Sequence, residues 1–199
     1  MVLDSSDTQN IQYNEGEPDT YHYPSDTHPF DKFLSGLQYV KTEYCALCAD
    51  DDLVMPAGIE ACLSVLRIHP SVVCTHGFAF SFIERDDKPS LQSALRLTDS
   101  ITDTSPLVRV AELLGNYRAL TYAVYRTDIL RKVLTEANKL DSLLGRELLA
   151  GALTAVAGNV VHIPCFSHGR SGEQGERRYT NWHPLEWFIK DAPGLIAEY

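Results

Sequence analysis

The chain has 199 residues, 44% of them hydrophobic and 22% charged, enough to bury a sizeable core and within the range of one domain. Its formal net charge of -10 and pI of about 5.1 leave no global positive field to concentrate a polyanion, so nucleic acid is not an expected partner. No apolar run approaches the roughly 20 residues of a membrane-spanning helix, and the opening Met1-Val2-Leu3-Asp4 lacks the basic and long apolar stretches of a leader. Cys45, Cys48, Cys62, Cys74 and Cys165 are odd in number and mostly flanked by apolar residues, which points to reduced, buried thiols and a cytoplasmic location.

In chain order, Val2 and Leu3 read as the end of a strand running into the polar loop Asp4-Ser5-Ser6-Asp7. A strand this short at the start leads to the expectation that a preceding segment completes the domain. Residues 8–29 are polar and hold three prolines, so they read as loop with a short strand near 21–23. Helical spacing follows over 31–40, then the brief apolar run Tyr44-Cys45-Ala46-Leu47-Cys48-Ala49, which fits a strand buried on both faces. Pro56 opens a helix that His69-Pro70 stops, and 71–83 is a β-branched and aromatic strand. The charged stretch 84–103 lacks a clear period and reads as a surface excursion. Helices are expected at 107–114, 128–137 and 141–157, with strands at 121–125 and 159–163. Alternation of this kind predicts an α/β sheet with helices on both faces, whose ligands bind outside the carboxyl ends of the strands. Asp4 and Asp50-Asp51-Asp52 both fall there.

Three adjacent carboxylates repel one another unless a cation compensates, and Mg²⁺ is commonly held by one or two carboxylates together with substrate phosphates. The same acids would also sit favourably as a solvated turn before the helix that starts at Pro56. Chemistry alone leaves both readings open.

The segment from Lys41 to Pro56, an apolar strand ending on three acids and followed by a helix-starting proline, resembles the metal-site segment of family 2 glycosyltransferases. Val2-Leu3-Asp4-Ser5-Ser6 is similar to that family's second strand, and Leu144-Gly145-Arg146-Glu147 followed by Gly158 to Pro164 resembles the segment that closes its domain. The resemblance extends to about Arg170. It implies a GT-A, Rossmann-like mixed sheet flanked by helices, without the family's first strand and helix. A nucleotide- and metal-binding half would span 1–83, an acceptor half 104–170, and a C-terminal loop and helix 171–199. It further implies a nucleoside diphosphate sugar as donor, a saccharide, lipid or protein acceptor, and transfer with inversion aided by Mg²⁺ or Mn²⁺.

By position relative to Pro56, the resemblance makes Asp51 the metal-coordinating carboxylate, joined by Asp52, with Asp50 and Asp52 toward the nucleotide and Asp4, Ser5 and Ser6 against the nucleoside. Two departures stand out: Ala49 occupies the place of the usual leading acid, and Arg146 the first place of the catalytic acid pair. Glu147 is then the expected base, on a helical stripe with Gly151 and Thr154, opposite a core stripe of Leu144, Leu148, Ala152 and Val156. It reads equally as a surface glutamate in the first turn, beside Arg146. His168 is a candidate metal ligand, and His162, which alternates with Val161 and Ile163, a weaker one. Arg170, Arg177 and Arg178 lie in a Gly- and charge-rich loop that reads either as a cover over a diphosphate or as a merely solvated loop. Trp182 and Trp187 would wall an acceptor site or close the core. The Cys45-x-x-Cys48 spacing lacks the second pair a zinc site needs, and a phosphohydrolase would need a further ligand set for a second metal. A chain with these departures is also compatible with a binding or assembly module that has lost transfer.

Overall fold

The computed structural model describes residues 2–3, 21–22, 29–49, 51–85, 88–96, 98–117 and 119–172. Strands β1 (Val2–Leu3) and β2 (Tyr21–His22) form a small parallel pair of their own. The elements that follow are α1 (Pro29–Leu37), β3 (Tyr44–Ala46), β4 (Leu53–Val54), α2 (Pro56–Ile68), β5 (Val72–Arg85) and β6 (Lys88–Arg96). Next come α3 (Pro106–Gly115), β7 (Val124–Arg126), α4 (Thr127–Ala137), α5 (Leu143–Ala157) and β8 (Asn159–Ser171). The protein is thus a mixed α/β structure with a sheet flanked by helices, as the alternation predicts. Among the described residues no helix is long and apolar enough to cross a membrane.

The sheet runs β3-β7-β5-β8-β4, with β6 folded back on the outer half of β5. β5 and β8 are parallel, while β3/β7, β7/β5, β4/β8 and β5/β6 are antiparallel. It follows that β3, β5 and β8 point the same way. Two apolar clusters mark the two covered faces. On one, Cys62 and Leu66 of α2 pack with Val72 and Val124. On the other, Leu37, Leu113, Leu130 and Ala155 from the remaining helices pack with Val73, Tyr125 and Val160. Coverage of both faces explains why residues 72–77 of β5 are all buried without alternation, the polar Thr75 and His76 among them.

Three expectations need correction. β3 is three residues long and pairs only with β7 among the described strands, so it is a half-exposed edge strand rather than one buried on both faces. The charged stretch after β5 is not a plain excursion, because β6 pairs with β5 from Arg85↔Lys88 to Phe78↔Arg96. A hairpin strand with one face in water needs no long apolar run, which hid it from hydropathy. The last strand reaches Ser171 rather than 163. Pro164, Gly169 and the polar residues around them looked like loop, yet pairing with β5 on one side and β4 on the other carries the strand through them.

α2 sits unusually close to β8. A Cβ on Gly58 would fall 1.9 Å from the carbonyl oxygen of Phe166, so only glycine permits this approach. Met55 N–H donates to Ser167 O at 3.0 Å and ties the helix start to the same strand. At the far end Arg126 donates to the carbonyls of Leu66 and His69, which have no partner within the helix. Arg109, 7% exposed, does the same for α5 by donating to Ala155 O at 2.7 Å and Val156 O at 3.0 Å.

Gly58→Ala is therefore expected to cost about 1–3 kcal/mol, since the clash is with backbone. Gly115→Ala, where a Cβ meets nothing within 4 Å, should be neutral or slightly stabilising. Denaturant unfolding of the two variants checks this, and equal midpoints would contradict the close packing.

Candidate functional site

The acidic turn is built by one short ladder. Asp52 N–H donates to Ala49 O at 3.2 Å, closing the turn. Leu53 and Val54 then pair with Gly169 and His168 of β8, and Pro56 begins α2, where its missing N–H costs nothing. The same register carried one residue further sets Asp52 across from Arg170. Asp52 Oδ1 accepts the Ser171 N–H at 2.9 Å. Burial raises the Asp52 pKa and the Asp51 charge adds to this, while the Ser171 N–H, Arg170 and the Tyr122 hydroxyl oppose it. Asp51 is exposed.

A tyrosine stands between these groups. Ala46↔Val124 ends the β3/β7 ladder, so the residues just before β7 emerge at the same edge of the sheet as the turn. Tyr122 lies there within hydrogen-bonding reach of Asp52. The Arg170 guanidinium carbon is 5.4 Å from the centre of its ring, and the His168 ring 5.3 Å. Burial and the Asp52 charge push the Tyr122 hydroxyl up to about 12. His168 is buried, its Nδ1 3.4 Å from Ser167 Oγ and its Nε2 without a hydrogen-bond partner among the described residues. Burial, aided by Arg170, lowers its pKa to about 4, so the imidazole is neutral near pH 7.

Glu147 approaches from the helical side. Ser142 caps α5 by accepting Gly145 N–H at 2.9 Å, which puts Glu147 in the second turn rather than the first. Its Oε1 accepts from the Tyr117 hydroxyl at 3.2 Å. Burial raises its pKa to about 7, with Tyr117 and Arg170 opposing. The expected core stripe of α5 holds only in part: Leu144 is buried and Leu148 and Ala152 half-buried, but Val156 is 47% exposed. Gly151, Thr154 and Ala155 are buried instead. α3 and α4 both pack on this helix and rotate its buried arc toward Glu147, which consequently faces an apolar pocket including Phe33, Leu130 and Ala150 rather than an open cleft. Arg146 does not pair with Glu147; it binds Asp31 Oδ2 at 3.1 Å and Leu140 O at 2.6 Å.

Of the residues singled out from the sequence, Asp52, His168 and Arg170 meet around Tyr122, Asp51 flanks them, and Glu147 lies within the field of Arg170. Arg170 is on the strand β8, not in a closing loop. His162 packs its ring against Phe78 at 4.7 Å and His76 at 5.3 Å, away from that constellation. Cys48 is exposed, contrary to a uniformly buried set of thiols, and all five cysteines are free. Asp4, Ser5, Ser6, Asp50, Arg177, Arg178, Trp182 and Trp187 lie outside the described residues. Tyr117 had no sequence signal beyond being aromatic, and Tyr122 fell inside the strand expected at 121–125, whereas β7 begins at Val124 and Tyr122 lies in the turn before it.

Among the described residues no three His, Cys, Asp or Glu side chains converge to hold an ion by themselves. A divalent ion at this place would need most of its oxygens from outside the protein, the mode in which Mg²⁺ uses one or two carboxylates with phosphate and water. Asp51 is exposed, whereas Asp52 is held by the Ser171 N–H and lies within hydrogen-bonding reach of Tyr122.

No family model matches the chain, and no curated protein matches it. Among solved structures, CMP:2-keto-3-deoxy-manno-octonic acid synthetase complexed with CTP is similar to it at 13% identity, over 94% of this chain and 75% of that one, with a TM-score of 0.44. That likeness is distant, and the functional reading rests on the site's own geometry.

Two outcomes follow from these charges. Glu147 holds its proton more tightly folded, with a pKa of about 7, than unfolded near 4.5. Between those values the folded state binds more protons, so stability falls as pH rises, by up to ~3 kcal/mol, and the loss is complete above about pH 7. Glu147→Gln should remove this dependence in urea unfolding followed from pH 5 to 8; an unchanged slope would refute the assignment. Separately, Arg170→Met should move both Glu147 and His168 to higher pKa, because one cation favours the carboxylate and disfavours the imidazolium. NMR titration of the two side chains reads this directly.

Proposed function

We propose that the chain is a glycosyltransferase that moves a sugar from a nucleoside diphosphate sugar to an acceptor hydroxyl, with inversion and with help from Mg²⁺ or Mn²⁺. The observation that carries the reading is the β4/β8 register, which sets Asp52 across from Arg170 and within reach of Tyr122. Carboxylates beside a guanidinium suit a diphosphate with its counter-ion: the acids hold the cation while the planar Arg170 donates to phosphate oxygens. The sequence resemblance to family 2 enzymes supports the same roles, with Asp4, Ser5, Ser6 and Asp50 toward the nucleotide.

Asp51 and Asp52 would hold the ion, with His168 as a further neutral donor beside them. Bound there, the ion would neutralise charge on the departing diphosphate. Arg170 orients that diphosphate, and its stacking on Tyr122 keeps the guanidinium in place. Glu147 takes the acceptor proton: as the acceptor oxygen bonds to the anomeric carbon, the bond from that carbon to the diphosphate oxygen breaks and the proton passes to the carboxylate. A base with a pKa of about 7 is well matched to that task near neutral pH.

A binding module without transfer is the second reading, and Arg146 favours it. The position where the family has an acid is used here to tie α5 to Asp31. Donor turnover separates the two. With Mn²⁺ and a panel of nucleoside diphosphate sugars, wild type should transfer or hydrolyse donor, and chelation should abolish this. Asp52→Asn and Glu147→Gln should each lower kcat at least ~100-fold, and wild-type kcat should rise with pH through about 7. Donor binding without turnover would favour the module, and equal turnover in both variants would remove these residues from the mechanism.

A further inference from the structure

The outer half of β5 carries a row of aromatic rings on one face of the sheet. Phe78, Phe80 and Phe82 alternate along the strand, and Phe166 of β8 joins them, its ring centre 5.9 Å from that of Phe78 and 5.7 Å from that of Phe80. A Cβ on Gly169 would fall 2.5 Å from the Phe80 ring, so that ring lies across β8 over the bare glycine. Strand register extends the same face to both sides: Gly169 pairs with Leu53 of β4, and Phe82 with Leu91 of β6. Leu53 is 41% exposed, Phe166 44% and Leu91 65%.

Apolar area shared by four strands is unfavourable in water, and monomeric proteins rarely leave such a patch open. α2 lies on the opposite face, where Thr75 Oγ1 donates to Cys62 O at 3.3 Å. α3 and α5 cover the aromatic side over Cys74 and Val160, at the inner end of the strands. The chain itself supplies a cover for the rest. β8 ends at Ser171, opposite Phe82, and Gly172 N–H donates to Phe82 O at 2.6 Å, so residues 173 onward leave from the rim of the patch. Their sequence is polar as far as Asn181 and then sets Trp182, Leu185, Trp187, Phe188 and Ile189 within eight residues.

We propose that residues 182–189 of this same chain dock on the aromatic face formed by β4, β8, β5 and β6. Reach permits it. Trp182 is ten residues beyond Gly172, a tether of roughly 33 Å when extended, against about 15 Å across four strands. The exposed Leu107 of α3 is out of that reach: Arg109 binds the carbonyls of Ala155 and Val156 just before β8 starts, about 40 Å along the strand from its end. Docking would bury five large apolar side chains, each worth roughly 1.5–3 kcal/mol when fully buried, and would back the outer half of β8, where Arg170 projects to the other face.

Trp182 and Trp187 are the two tryptophans of the chain, so tryptophan fluorescence of the full chain, without donor or metal, reads this segment alone. Wild type is expected to emit to the blue of the urea-unfolded chain and to be quenched by acrylamide severalfold less, at any protein concentration. Phe166→Lys and Leu91→Lys, each shown to be folded by far-UV circular dichroism, should move the emission to the unfolded position and restore quenching, whereas Leu107→Lys should change neither. Leu91→Lys, at the more exposed site, decides the matter if Phe166→Lys does not fold. Native emission already at the unfolded position, unchanged emission in a folded patch variant, or a response to Leu107→Lys would each overturn the proposal. Emission that reddens on dilution would overturn it too, by assigning the cover to a second copy. Donor turnover does not enter these readouts, so failure of the transferase reading would be seen separately.

Discussion

The pairing of Leu53 and Val54 with β8 is two residues long, yet the geometry of the site follows from it. It holds the acidic turn against a strand that is itself locked in parallel to β5, so the position of Asp52 is inherited from the centre of the sheet. Met55 N–H on Ser167 O and the bare Cα of Gly58 against Phe166 extend the same contact into α2. A side chain at position 58 would force the helix away from β8. Because the turn and Arg170 lie on paired strands, their separation is set by backbone hydrogen bonds rather than by flexible loops, which suits a site that must be preorganised.

Around this ladder the electrostatics form one connected set. Arg170 acts on Asp52, Tyr122, Glu147 and His168 together, favouring the carboxylates and disfavouring the imidazolium. Burial works against ionisation of every one of them. The balance leaves a neutral histidine and a glutamate poised near neutral pH. Two carboxyls thereby acquire different surroundings: Asp52 lies beside a backbone N–H, an arginine and a tyrosine, and Glu147 in an apolar wall, and in the proposed reaction these would suit them to different tasks.

Much of this was legible in the residues. The helix starting at Pro56 and stopping at His69-Pro70, the strand after it, and the helices near 107, 128 and 143 emerge where periodicity and proline place them. Asp52, Glu147, His168 and Arg170 were all singled out from their positions in the chain. The errors share a cause. β6 and the outer part of β8 are strands because neighbouring strands pair with them, and their composition alone resembles loop. The wheel of α5 was drawn for a helix packed on one side, whereas α3 and α4 pack on two.

The sequence by itself determined the α/β order, the acidic turn at the end of a strand and the supply of a late glutamate and arginine, because these depend on local periodicity, turn chemistry and residue type. Only the tertiary structure decided that Asp52 faces Arg170, that Tyr122 stands between them and Tyr117 beside Glu147, and that Glu147 looks into an apolar pocket. Those are relations between segments as many as 119 residues apart, set by strand register and by the burial of two sheet faces. No local pattern in the chain encodes them.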